Sequence, residues 1–431
     1  TQEQDLTVRE LLERGSEKLE TELADQPLAR ARFLQTIGDV YSGLGDFSAA
    51  EGFHRDGLAL FEEDAPHNEG AVAKGLLSVA QDLLRLSRYP EVEPLLTRAL
   101  EILERTKGPD DPETAKVLAT LASLKMRLGN LVEAEEIERR VVAIQEAALE
   151  NDGVETGRAF YNLGLTVFRQ GRFDEARDTV QRAVAAFEAS GANPLNLAAA
   201  HNLLCIIEKG QGHYDEAERE CRTALAIQEE RAGPDNPEVA STLNNLGSIL
   251  NESGRRDAAE EPLKRALDIR VRLLGEDHEL VASSLTNLGG LYLDGGRLDE
   301  AREMFLRARE IKQQILGPDH SSLAVEVHNL ALVALAQQNL PEAERLFERA
   351  LKIRTAGLGP DHTKVALDHQ RLADVMRRQG RFEEAEHHIE RALTIYRATV
   401  GTEHPHYREA LDLRTRLLEA SGKAAATAVE R

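Results

Sequence analysis

The sequence predicts an all-α fold: a solenoid of nine stacked helix pairs with a single capping helix at each end. Three observations predict it. A turn position recurs at a fixed period, small residues stand at fixed offsets from that turn, and each intervening segment carries one apolar stripe. The turn is clearest at Gly171 in "RQGRFDEA". Its equivalents are Gly45, Ser87, Gly129, Gly212, Gly254, Gly296, Gln338, Gly380 and Gly422, every step being 42 residues except one of 41. A period of this length, kept along the chain, marks stacked supersecondary units.

Each unit reads as two helices. Seven residues before the turn sits Gly38, Ala80, Ala122, Gly164, Cys205, Gly247, Gly289, Ala331 or Ala373, and five after it Ala50, Val92, Ala134, Ala176, Ala217, Ala259, Ala301, Ala343 or Ala385. Small residues there let two helix backbones approach closely, while Leu163, Leu246, Leu288 and Leu330 fill the space beside them. In the second unit, Leu76, Val79, Ala80, Leu83 and Leu86 share one face of the first helix at 100° per residue, and Lys74, Ser78, Gln81 and Arg85 share the other. A pair with one apolar face per helix cannot bury that face alone; stacked copies can.

The loops repeat too. "LGPDH" at 316–320 returns at 358–362, with "AGPDN" (232–236), "LGEDH" (274–278) and "VGTEH" (400–404) as variants. Gly317 suits a left-handed helix end and Pro318 prevents continuation. Asp319 or His320 then stands where the next helix wants an N-cap acceptor. His278, His320, His362 and His404 are therefore spaced one repeat apart, at helix-packing distances of about 8–10 Å. Two ligands of one zinc lie within about 4 Å, given bonds near 2 Å. The loop histidines are expected to cap helices and not to bind metal.

At the N-terminus, Thr7 and Glu10 form a capping-box pattern opening a helix to about Asp25, with Gly15 at the small position of a second helix. Residues 404–421 give one further first-type helix, and "KAAATAVER" has no periodic face. The expected organisation is a capping helix over 1–27, nine repeats over 28–402, and a capping helix with a frayed tail over 403–431.

The small, turn and alanine positions resemble those of tetratricopeptide repeats over about residues 28–422. The 42-residue length and wording such as "NNLG", "RALKI" and "LGPDH" look most like the light chain of kinesin and its bacterial relatives. The resemblance implies a right-handed superhelix whose first helices line a concave, protein-binding groove, without catalysis and without a cofactor. The stretch at 6–51 also resembles the region that follows the catalytic domain in large bacterial serine/threonine protein kinases. That implies an alternative role, as a regulatory or self-associating arm of a larger enzyme.

Composition narrows the function. The 431 residues are 42% hydrophobic and 30% charged, ample for a buried core, and no run approaches the roughly 18 apolar residues of a membrane helix. The first residue is Thr1 rather than Met, so a longer parent chain is expected and the lack of a secretory signal carries no weight. A formal charge of −22 argues against general nucleic-acid binding. Cys205 and Cys221 fall at core positions of one repeat and are expected to be buried free thiols, which suits a reducing, cytoplasmic setting. The sequence lacks phosphate-loop, dinucleotide, zinc-protease and serine-hydrolase motifs. His201, His213 and His328 are expected to stand without a constellation around them.

The polar stripe of the first helices is more informative. Thirteen residues before the turn, the first four repeats carry Arg32, Lys74, Lys116 and Arg158; two before it, they carry Gly43, Arg85, Arg127 and Arg169. In repeats five to eight these positions turn neutral or acidic, as at Ala199, Ser241, Glu252 and Asp294. A third row, nine before the turn, includes Asn162, Asn245, Asn287, Asn329 and Arg371. Asparagine offers a donor and an acceptor, so such a row can pair with an extended peptide backbone whatever its sequence. By resemblance, asparagines here contact bound peptide, and Asn329 with Arg371 match part of the family's carboxylate clamp, though Leu367 stands where a lysine belongs. The bland readings are hydrogen bonds between adjacent first helices for the asparagines and a solvated face for the cations. The expected partner is a protein with an extended acidic segment, and self-association is left open.

Overall fold

The computed structural model describes Leu23 and residues 25–63, 67–148, 153–318 and 320–422. The expected N-terminal capping helix, with Thr7, Glu10 and Gly15, lies outside these residues, as do Asp319 and the tail from 423. The described residues form nineteen α-helices and no strand. The chain divides into two compact units, one ending at His213 and one starting at Tyr214.

The first unit holds α1 (Pro27–Gly43), α2 (Phe47–Glu63), α3 (Glu69–Arg85), α4 (Tyr89–Thr106), α5 (Pro112–Arg127), α6 (Leu131–Ala147), α7 (Gly153–Arg169), α8 (Phe173–Ser190) and α9 (Pro194–Gln211). The second holds α10 (Tyr214–Ala232), α11 (Pro237–Glu252), α12 (Arg256–Leu274), α13 (Glu279–Asp294), α14 (Leu298–Leu316), α15 (Ala324–Ala336), α16 (Leu340–Leu358), α17 (Thr363–Arg378), α18 (Phe382–Thr399) and α19 (Pro405–Ala420). The order matches nine pairs and a closing helix. Within each unit every helix packs on its chain neighbours, and first helices also touch directly, as α3 on α5 and α11 on α13.

The tight turn inside each pair is a left-handed residue, glycine in most repeats. Ser87 and Gln338 hold the same conformation at φ 59° and 60°, so stacking enforces it even without glycine. Close approach occurs where the small residues predict it. A Cβ on Gly164 would lie 2.4 Å from Val180, one on Gly247 2.4 Å from Leu263, and one on Gly289 2.8 Å from the Phe305 ring. This pairing, seven before the turn against nine after it, is the centre of each repeat.

Two expectations are corrected. Gly275, Gly317 and Gly359 close their helices at φ 82–89° but ψ 160–167°, a region open essentially to glycine alone and not the left-handed helical one. The chain there leaves the helix extended, to reach the next N-cap. Cys205 and Cys221 are buried as expected, but neither is a free thiol.

The loop histidines are caps. Nδ1 of His278, His320, His362 and His404 accepts the N–H of Leu280, Ser322, Lys364 and His406 at 3.1–3.2 Å, as Asn236 and Asp111 do with side-chain oxygens elsewhere. One core position is acidic. Glu138 of α6 stands in register with Val180, Leu263 and Phe305, is 2% exposed, and has one carboxylate oxygen without a hydrogen-bond partner. Burial pushes its pKa up to about 7 against the opposing Thr166 hydroxyl, with the charge of Glu135 adding to the rise.

Candidate functional site

Helices α1, α3, α5 and α7 carry their core residues on one side, so their opposite stripe lines a groove of about 720 Å³. Its basic side chains are Arg85 of α3, Lys116 and Arg127 of α5, and Arg158 of α7, with Gln81, Thr120, Ser123 and Asn162 between them. Five of the twelve residues singled out in the sequence thus meet in one place: Arg85, Lys116, Arg127, Arg158 and Asn162. Arg32, Lys74 and Arg169 are exposed and do not line it.

The cations of the groove differ from those on the second helices. There, arginine pairs with glutamate across consecutive repeats: Arg88 with Glu51 at 2.8 Å, Arg172 with Glu135 at 2.8 Å, Arg297 with Glu260 at 2.9 Å and Arg381 with Glu344 at 2.6 Å. Hydrogen bonding from Arg172 leads the set of contacts holding the Glu135 carboxyl down at about 2. Among the described residues, the one ion pair of a groove cation is that of Arg158 with Glu155 at 2.9 Å. Arg85 lies 5.9 Å from the centre of the Phe47 ring. Lys116 and Arg127 have no carboxylate within 4 Å among the described residues. The Tyr89 hydroxyl is drawn below its usual pKa by a hydrogen bond with Ser87 and then by Arg127. The other acid of the groove, Asp82, is already engaged, accepting from Ser42 Oγ at 2.5 Å and meeting His54 Nδ1 at 2.5 Å.

The Ser42–Asp82–His54 group differs in order from a serine–histidine–aspartate triad. The aspartate sits between serine and histidine, so the hydroxyl does not meet the imidazole as it does in a serine–histidine pair. Burial opposes charge on His54, but Asp82 and then Asp39, at 3.3 Å, outweigh it and raise its pKa. The buried imidazole stands between two acids, Asp39 of α1 and Asp82 of α3, and ties α2 to both helices.

In the second unit, Asn245, Asn287, Asn329 and Arg371 are half-buried. Asn287 and Asn329 make no side-chain hydrogen bond among the described residues, and neither does Asn162 in the first unit. Arg371 turns inward: its Nε is buried without a partner, and its charge reaches His328 and Tyr396. His328 itself corrects the expectation of isolation. Its Nδ1 lies 2.7 Å from Asp368 Oδ1, which also accepts from Arg354 at 2.7 Å, all three being buried. His213 likewise meets Glu208 at 2.8 Å. The first partnership does not follow from local spacing, because Asp368 comes from the next repeat, whereas Glu208 is only five residues from His213. Burial dominates at His328 and lowers its pKa despite Asp368. Among the described residues no three metal-ligating side chains converge, and no helix is long and apolar enough to cross a membrane.

The repeat pattern, the close-packed pairs and the groove define a class, the helical repeat scaffolds typical of protein–protein interaction. The chain belongs to the tetratricopeptide repeat family, whose profile matches residues 72–147, 115–189, 196–271, 263–314, 280–356, 322–398 and 365–426. Among solved structures it is similar to the apo quorum sensor NprR from B. thuringiensis, at 13% identity and a TM-score of 0.58 over 81% of this chain and 94% of that one. A Rap protein complexed with Competence and Sporulation Factor gives 17% identity and 0.54 over 82% and 98%. Kinesin-light-chain-like repeats from Podosopora anserina give 22% and 0.42 over 48% and 99%. A comparison with curated proteins finds no match.

Proposed function

We propose that the groove of the first unit holds an extended acidic segment of a protein partner. The observation that carries this is the convergence of Arg85, Lys116, Arg127 and Arg158 in one cavity, with a single acid pair among them, on a chain of formal charge −22. On the second helices of the first unit arginines such as Arg88, Arg139 and Arg172 are neutralised by neighbouring glutamates; in the groove counter-charge is left for a ligand. Adjacent first helices stand about 8–10 Å apart, and an extended chain rises about 3.3 Å per residue, so an acid at every third position meets successive cations. Asn162 supplies an unused amide beside them for the peptide backbone. Solved structures of the same fold include a quorum sensor and a Rap protein complexed with Competence and Sporulation Factor, in keeping with ligand capture.

The test is a fluorescence titration with an acidic, proline-interrupted peptide against wild type and the Arg85→Ser, Lys116→Ser, Arg127→Ser, Arg158→Ser variant. These side chains face away from the core, so the fold should survive. Binding should weaken with salt, largely through slower association, and vanish in the variant. Equal affinity in the variant, or preference for a neutral peptide, refutes the reading.

A further inference from the structure

The second-helix face of the second unit breaks its own pattern at one junction, between α14 and α16. Six residues after the turn the chain carries Glu218, Glu260 and Glu344, each ion-paired with an arginine one residue after the following turn: Arg255, Arg297 and Arg381. At the α14–α16 junction the glutamate position holds Arg302 and the arginine position holds Asn339. The pair is gone and the sign is reversed. Thirteen residues after the turn, Leu225, Leu267, Leu351 and Leu393 pack on the core; in α14 that residue is Arg309.

Three further facts sharpen this. Arg302 and Arg309 have no carboxylate within 4 Å among the described residues. Half-burial, then the charges of Arg349, Arg345 and Arg302, lower the pKa of Arg309, so like charges crowd it. Beside Arg309 lies an open cavity of about 930 Å³ whose walls include Met304, Leu306, Gln313 and Pro318. Glu303 and Glu310 line it too, and Glu310 is held by Arg307 at 2.9 Å.

A charge in a leucine position, flanked by like charges, costs stability in a chain with an excess of acids to pair with it. We propose that this junction is a second docking surface, separate from the groove, for an acidic amphipathic helix of a protein partner. Its acids face Arg302 and Arg309, and its apolar side covers Leu306, which lies between them on the same face. Seven residues separate the two arginines, two helical turns or about 10 Å, the spacing at which an aligned helix presents acids on one face.

The experiment restores the repeat pattern with Arg302→Glu and Arg309→Leu in the full chain. The probe is a labelled helical peptide of Glu, Leu and Ala; a second peptide of the same composition, interrupted by proline, cannot form the helix. The helical probe should bind wild type and the quadruple groove variant alike, and bind the restored variant about tenfold more weakly or worse. Thermal stability of the restored variant should rise, because leucine returns to a leucine site, whereas a structural role for Arg309 predicts a fall. Undiminished binding to the restored variant overturns the proposal, as does loss only in the groove variant, which would place all acidic binding in the groove. Single-stranded RNA binding in place of the peptide would also overturn it. Loss confined to the restored variant upholds this surface whatever becomes of the groove.

Discussion

Replacing Glu138 by Gln should stabilise the protein above neutral pH and do little in mild acid. The residue is 2% exposed in a register that is apolar in neighbouring repeats, and its pKa stands at about 7 against an ordinary 4.5. The folded state therefore holds a proton that the unfolded chain has released between these values. Stability must fall as pH rises through that window, because fewer protons are bound in the unfolded state. A difference of about 2.5 pKa units at 1.36 kcal/mol each gives a ceiling of about 3 kcal/mol at pH 8, and under about 1 kcal/mol at pH 5. Glutamine has the same shape and no charge, so it escapes the penalty. The assay is thermal unfolding of both proteins at pH 5 and pH 8, with hydrogen exchange of α6 amides as the local readout, since repeat arrays need not unfold in one step. A gain at pH 8 that shrinks in acid is expected. A loss at pH 8, or a shift independent of pH, refutes the argument.

Other outcomes follow from the packing. Gly289→Leu should cost about 1–3 kcal/mol in denaturant unfolding, because even a Cβ there lies within 2.8–3.0 Å of the Phe305 ring; an unchanged midpoint would mean the repeat centre is misplaced. Changing His278, His320 and His362 together to Asn should leave the melting temperature nearly unmoved, since asparagine supplies the same cap. The triple alanine variant should lose on the order of 1 kcal/mol per site, and equal behaviour of the two triples would deny the capping role.

The frame was legible because it is local and repeated. Turn glycines, small residues and capping loops each act within a few residues, and many copies let the register be read despite Ser87 and Gln338. The groove was half legible. Row positions on first helices located Arg85, Lys116, Arg127, Arg158 and Asn162, but not that Arg32, Lys74 and Arg169 lie off the cavity, nor that Arg371 turns inward.

What escaped lies between repeats. Ser42 and Asp82 are 40 residues apart, as are His328 and Asp368, and each pair joins neighbouring first helices that local spacing does not connect. Yet the residues that make these contacts were visible as exceptions once the register was known. Glu138 stands where Val180 and Phe305 stand, Arg309 where Leu267 and Leu351 stand, and His54 where Leu96 stands. In a stacked fold the consensus is consumed by packing, since every copy must bury the same face against its neighbours. A ligand meets only what packing leaves over, so chemistry specific to this chain has to reside in departures from the repeat. A departure that closes on a partner in the next repeat, as His54 does on Asp82, is structural. One that stays open, as Arg302 and Arg309 do, raises the energy of the free chain and is accounted for by something outside it.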